Sequence, residues 1–194
     1  MRGRIITSDH RIFELPVLLR WNITYTGGVP CDSYEVTCVY DRTMAELLHL
    51  AAGFLALDEN GGVLLRGIVD EYEVKLTAAG LTVTICGRGY AARLLDNEAL
   101  SQDYEIATLA DILRDHVTPY GVAVGAQDAM GAVSQFSVAA GSSEWSVLYD
   151  FARYYNGIYP RFDQLGRLIL TPWSNEARVV LDSTVPVTRL VCRD

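Results

Sequence analysis

The chain has few residues of the kinds that metal sites, export or nucleic-acid binding require. It has three histidines in 194 residues, His10, His49 and His116. None stands in an H-x-x-x-H or H-E-x-x-H spacing that would set two imidazoles on one helical face, so no metal site is expected. The four cysteines, Cys31, Cys38, Cys86 and Cys192, contain no C-x-x-C pair. Cys31 and Cys38 are separated by an odd offset, which along a strand sends side chains to opposite faces, and reduced packing thiols are expected. Positive charge is in deficit: 16 Lys and Arg against 24 Asp and Glu leave a net charge of −8. That balance repels phosphate backbones, so nucleic acid is excluded as an expected surface partner. No apolar run approaches the roughly 20 residues a bilayer-spanning helix needs, and no membrane span is expected. Met1 to His10 carries positive residues but no apolar stretch before Asp9 and Glu14 interrupt, so synthesis and retention in the cytoplasm are expected. Pro-rich and Gly/Ser-rich runs are missing too. With 50% hydrophobic and 21% charged residues, the chain should be compact, and long enough for one large or two small domains.

What is present is alternation. Tyr34, Val36, Cys38 and Tyr40 fall on one face of a strand, with Glu35, Thr37 and Val39 on the other. Met44, Leu47, Leu48 and Ala51 predict a short helix capped near Thr43. Asp58-Glu59-Asn60-Gly61-Gly62 supplies a tight turn between Phe54–Leu57 and Val63–Val69. A second hairpin alternates Tyr72, Val74 and Leu76 against Leu81, Val83 and Ile85 across Thr77–Gly80. Beyond residue 100 the texture becomes mixed. Thr108 with Asp111 marks a capped helix striped by Leu109, Ile112, Leu113 and Val117 and stopped by Pro119 and Gly121. Ser142 or Ser143 caps a second helix striped by Trp145, Leu148, Phe151, Ala152 and Tyr155 and ending at Asn156-Gly157. Ile158–Phe162 and Leu168–Thr171 predict a hairpin across Asp163–Gly166.

Chemistry is sparse in this pattern. His116, at a helix end, reads as a charge facing the helix dipole. Cys86 beside Gly87-Arg88-Gly89 has a cationic neighbour that can activate a thiol, but no identifiable base, and packing is the simpler role. Gly87-Arg88-Gly89 is too short for a dinucleotide motif, so no cofactor is expected, and its glycines let the chain leave the sheet. The carboxylate pairs Asp70/Glu71, Asp96/Glu98 and Asp103/Glu105 invite a glycosidase reading, but acids are abundant enough here for chance pairs. The tyrosines are a better lead to partners, because Tyr and Trp are enriched where protein meets protein. Tyr104, Tyr120 and Tyr154 are candidate interface residues.

The run Leu65-Arg66-Gly67-Ile68-Val69-Asp70-Glu71-Tyr72-Glu73-Val74, then Leu81 to Gly89, then Leu94-Leu95-Asp96-Asn97-Glu98-Ala99, resembles the first half of phage baseplate hub proteins, the late-control-type tail hubs of contractile phages and phage-tail-like particles. The likeness runs over residues 30 to 172. It implies an α+β chain, mainly antiparallel β: a tail-tube-like β-barrel over residues 1–99, a small α+β domain over 100–178, and at 179–194 the first strand of a further barrel or a return strand. Asp96-Asn97-Glu98 would form a structural corner, with Asp96 or Asn97 bonding local backbone amides. The resemblance implies a non-enzymatic structural protein of the virion tail, a homotrimer in the assembled tail that joins tail tube to spike and touches baseplate proteins. Hub relatives carry a second barrel where this sequence stops, which leads us to expect a monomer or weak oligomer for the chain alone. Two rivals are a peptidoglycan-binding or muralytic tail-tip protein and an unrelated enzyme acting through Cys86.

Overall fold

A computed structural model describes residues 1–27, 31–78 and 80–173. The expected strand at Val187 to Cys192 lies outside these residues, as does Cys192. The first seven strands are β1 (Arg2–Thr7), β2 (Ile12–Glu14), β3 (Leu18–Thr24), β4 (Ser33–Val39), β5 (Ala51–Leu57), β6 (Val63–Thr77) and β7 (Gly80–Gly89), with helix α1 (Met44–His49) before β5. They form one antiparallel sheet in the order β2-β1-β5-β6-β7-β4-β3. No ladder among the described residues joins β2 to β3, so hydrogen bonding leaves the barrel open. Only Leu15, Pro16 and Val17 separate these two edge strands, and four peptide steps reach at most about 14 Å. The sheet must therefore curl until its edges nearly meet.

Alternation places the core. β4 buries Tyr34, Val36 and Cys38, which register against Gly87, Ile85 and Val83 of β7. Ile5, Phe54, Leu65 and Met44 complete this first cluster, with Tyr34 stacked on Phe54 at 4.1 Å. Helix α1 is entered through Asp41, whose carboxylate accepts from the Thr43 amide and hydroxyl, while Thr43 itself makes no capping bond.

The two hairpins predicted on either side of Val69 share a single fifteen-residue strand, β6. Its register slips between Val69, opposite Gly87, and Glu71, opposite Cys86. Asp70 is thus the extra residue of a β-bulge. Gly89 ends β7, where the chain leaves the sheet as the sequence suggested, but Gly87 lies inside the strand and has another cause. A Cβ on Gly87 would stand 2.0 Å from the Ile68 carbonyl oxygen and 2.6 Å from the Tyr34 hydroxyl, and that hydroxyl donates to the same carbonyl at 2.9 Å. Gly87 is there because backbone and ring already fill the space.

After β7 come α2 (Ala92–Leu95), β8 (Gln102–Ala107), α3 (Leu109–His116), β9 (Val124–Gln127), β10 (Val133–Val138), α4 (Glu144–Tyr149), β11 (Arg161–Phe162) and β12 (Leu168–Leu170). Thr108 and Asp111 close a full capping box on α3, and Ser143 caps α4 by accepting from the Ser146 amide. β8 pairs with β10, while β12 pairs with β11 antiparallel and with β9 in parallel. A second apolar cluster forms around Leu94, Ala99, Ile112, Phe136, Leu148, Phe151 and Leu170. It takes in Leu94 and Ala99, so its packing begins earlier than residue 100. Trp145 is buried against Tyr149 and Phe162. Tyr155, expected on the same stripe, is half-exposed, because α4 continues into a π-helical stretch, Asp150–Tyr155, that shifts the helical phase.

At Gly87 the obstructing atoms are backbone, which cannot swing aside. Gly87→Ala should cost on the order of 3 kcal/mol, the severe end of overpacking, and lower the melting temperature by roughly 6–12 °C. Gly27→Ala, with nothing within 4 Å of its Cβ position, should stay within about 0.5 kcal/mol. Thermal melts of the two variants check this pair.

Candidate functional site

The polar residues that sequence alone scattered come together at two places. The first is the corner where the chain leaves the sheet. Arg88 donates to both carboxylate oxygens of Asp70 at 2.7 and 2.8 Å and to both of Asp96 at 3.0 and 2.7 Å. One planar guanidinium thus ties the β6 bulge to the end of α2. Asp96 therefore serves this ion pair rather than a local amide. Asn97 donates its side-chain amide to the Arg93 carbonyl, and its own carbonyl accepts from the Glu144 amide. Asp70 and Asp96 are bridged by a cation and are not arranged as an acid/base pair. Cys86 lies on the face that carries Glu35 and Glu71, its register partners. Burial first, then these acids with Glu73, pushes its thiol up, the reverse of an activated nucleophile. Burial pushes the Cys38 thiol up to about 11.

The second is a buried chain of hydrogen bonds inside the second cluster. His116 Nδ1 lies 2.6 Å from Glu144 Oε2 and Nε2 lies 3.0 Å from the Tyr104 hydroxyl. Tyr104 donates to Asp115 at 2.9 Å and Tyr120 donates to Glu144 Oε1 at 2.5 Å. His116 is 3% and Glu144 4% exposed. The Tyr104 hydroxyl thus bridges Asp115 and the His116 ring, and Glu144 bridges the other ring nitrogen and Tyr120. The hydrogen bond to the Glu144 carboxylate, with partial burial, pushes the Tyr120 hydroxyl up to about 12. This constellation ties β8, α3, the turn at Tyr120 and α4 together, and none of its members lines the clefts between elements. His116 closes α3 where the sequence placed it, and it is buried there against Glu144. Among the described residues no cluster of His, Cys, Asp or Glu could hold a metal ion, and no helix is long and apolar enough to cross a membrane.

The three tyrosines proposed as interface residues separate. Tyr104 is buried, its ring against Phe136, so it belongs to the core and not to a surface. Tyr120 is partly buried with its hydroxyl committed to Glu144. Tyr154 stands 79% exposed. The larger exposed apolar surface lies elsewhere, on the unpaired sheet edges. Ile12 on β2, and Val17, Leu19 and Trp21 on and beside β3, are exposed. Beyond Ile68, β6 loses its pairing with β5 and projects with β7, exposing Tyr72, Val74 and Leu76 on one face and Glu71, Glu73 and Lys75 on the other. Free strand edges carrying apolar side chains are templates for association.

Two predictions follow from the buried chain. Glu144→Ala leaves His116 and Tyr120 without their acceptor and should cost about 3–5 kcal/mol in urea denaturation, whereas Tyr154→Ala should be near neutral. The second concerns pH. Arg88 holds Asp96 low, the Thr108 hydroxyl and then Arg114 hold Asp111 low, and Arg114 holds Asp115 low. Depressed folded-state values mean stabilisation that is present above about pH 4 and is lost as pH falls through those values. The urea midpoint should therefore fall from pH 6 to pH 3, modestly because these groups face solvent. An unchanged midpoint would contradict the ion-pair account.

Comparison with known proteins fits this architecture. The profile of the baseplate hub protein gp44-like family, second domain, matches residues 91–172, the stretch that contains the buried chain. Solved structures extend the likeness to the whole described fold. A tail protein from Neisseria meningitidis MC58 superimposes with a TM-score of 0.72 at 18% identity, covering 97% of this chain and 58% of its own. The 43 kDa tail protein of prophage MuSo2 from Shewanella oneidensis gives 0.64 at 19% identity, covering 88% and 54%. Prophage tail protein gp18 from Listeria monocytogenes EGD-e gives 0.57 at 12%, covering 89% and 51%. This chain thus spans a little over half the length of each. No curated protein sequence matches it. The fold is that of phage tail proteins, and residues 91–172, from the exit corner of the sheet through β12, are similar to the second domain of the gp44-like baseplate hub family.

Proposed function

We propose that this protein is a structural component of a phage or phage-tail-like baseplate hub, joining tail tube to spike as a homotrimer in the assembled tail, without catalytic activity of its own. The observation that carries the proposal is the likeness of residues 91–172 to a hub-family second domain, combined with an antiparallel sheet whose edge strands pair with no further strand among the described residues. β2, β3 and the projecting half of β6 offer unpaired backbone groups beside exposed Ile12, Leu19, Trp21 and Leu76. A monomer gains nothing from such a surface, while a ring of copies buries it by repeating one heterologous contact around an axis. The division of labour we propose has its boundary near Tyr90: the sheet before it meets neighbouring copies and the tube, and the α+β module after it, with Tyr154 on its surface, meets surrounding baseplate proteins. Particles of this kind would be made in the bacterial cytoplasm and reside in the tail. The family match does not favour the wall-binding or muralytic alternative.

The test uses a surface substitution that spares folding. Trp21→Glu alters a half-exposed residue on edge strand β3 and should leave the melting temperature within a few degrees. It should nonetheless abolish incorporation of the protein into purified tails, read by mass spectrometry of sedimented particles. Full incorporation of a folded Trp21→Glu variant would remove β3 from the proposed contact.

A further inference from the structure

A cleft of about 340 Å³ opens between the sheet and the second module, and its lining inverts the charge of the protein. The chain carries 24 acidic residues against 16 basic, yet Arg66, Arg93, Arg167 and His10 line this cleft and, among the described residues, no Asp or Glu does. The arginines are held, not merely nearby. Two of them sit over the Tyr90 ring, whose centre is 4.3 Å from the Arg93 guanidinium and 5.3 Å from that of Arg66. Arg93 also donates to the Tyr120 carbonyl at 3.1 Å. Gly166, in the left-handed region at φ +71°, lies so close to the Tyr90 ring that a Cβ would come within 2.8 Å of it. Arg167 is paired with Asp163, but among the described residues Arg66 and Arg93 meet no carboxylate. Arg4, Arg11, Arg88 and Arg114 do, and of the other arginines without such a pair among the described residues, such as Arg153 and Arg161 over Tyr159 and Trp173, none lines this cleft. Two guanidinium groups set on an aromatic ring in a concave site, with no carboxylate paired to either among the described residues, are prearranged for oxyanions.

We infer that this cleft is a docking site for an acidic peptide segment of a neighbouring tail protein, whose carboxylates complete the pairing of Arg66 and Arg93. The identification of the partner as a protein rests on the hub reading above. The identification of its chemistry rests on charge complementarity alone. The cleft sits where sheet and second module meet, so an occupant would touch β1, β6 and the Tyr90 corner together and brace one module against the other.

The test uses the full chain and fluorescently labelled hexaglutamate at low salt, followed by anisotropy, with hexaglutamine and a six-nucleotide oligothymidylate as comparisons. Hexaglutamate should bind and hexaglutamine should not. Arg66→Gln with Arg93→Gln should weaken binding by about tenfold or more, and Arg93→Lys should fall between, since an ammonium keeps the charge but loses the fork. If the double variant does not melt cooperatively, Arg66→Gln alone serves, because its side chain is exposed and makes no hydrogen bond. Absence of hexaglutamate binding, or affinity unchanged in the variants, overturns the proposal. Tighter binding of oligothymidylate would assign the cleft to a nucleic-acid backbone and overturn it equally. Incorporation into tails does not enter this readout, so failure here and failure of the hub reading are separately visible.

Discussion

The Arg88 guanidinium, held by Asp70 on one side and Asp96 on the other, is the contact on which the arrangement of the two halves depends. Asp70 can reach it only because it is the unpaired residue of the β6 bulge, and Asp96 only because α2 turns the chain back over the strand it has just left. The close approach of β6 to β7 at this place excludes side chains at Gly67 and Gly87, where a Cβ would meet backbone oxygens at 2.2 and 2.0 Å. Charge, bulge and glycine form one device. It turns a continuous ladder into a corner, and it sets Tyr90 and the second module in a fixed place beside the sheet.

Much of the sheet can be read from residue order, because half-buried strands alternate strictly. Tyr34, Val36 and Cys38 announce their inward face, and the turn at Asp58–Gly62 is written in residues that tolerate positive φ. The continuity of β6 is not legible in the same way. Asp70 breaks the period of two, and its partner lies eighteen residues along the chain. β8 and β10 also escape a periodicity reading. β8 buries Tyr104 and Ala107, three residues apart, and β10 contains Gln135 at a left-handed φ of +52°.

The buried His116–Glu144 pair could have been found. His116 follows Leu109 and Ile112 on the apolar stripe of α3, and Glu144 precedes Leu148 and Phe151 on that of α4. A titratable residue on a buried stripe calls for a partner. The identity of that partner required the fold, since β8, α3 and α4 meet only through tertiary packing. Tyr104, an interface candidate by sequence, lies in the core for a related reason. Counting tyrosines does not distinguish a ring that fills a core, such as Tyr104, from one that faces solvent, such as Tyr154. The exposed apolar edges instead belong to short strands near the N-terminus, which have little alternation to read. The resulting picture is of a second module braced by a satisfied polar network and joined to a sheet whose edge strands are unpaired among the described residues.

The central claim is that this chain is a hub subunit whose open sheet edges are closed by its neighbours. A cryo-EM map of the purified tail tests it most directly. The account predicts three copies around the tail axis at the junction of tube and spike, with β2 and β3 of each copy against adjoining subunits and no free edge facing solvent. A map in which the protein is missing from that junction, or present with β3 exposed and Trp21 in water, would contradict it.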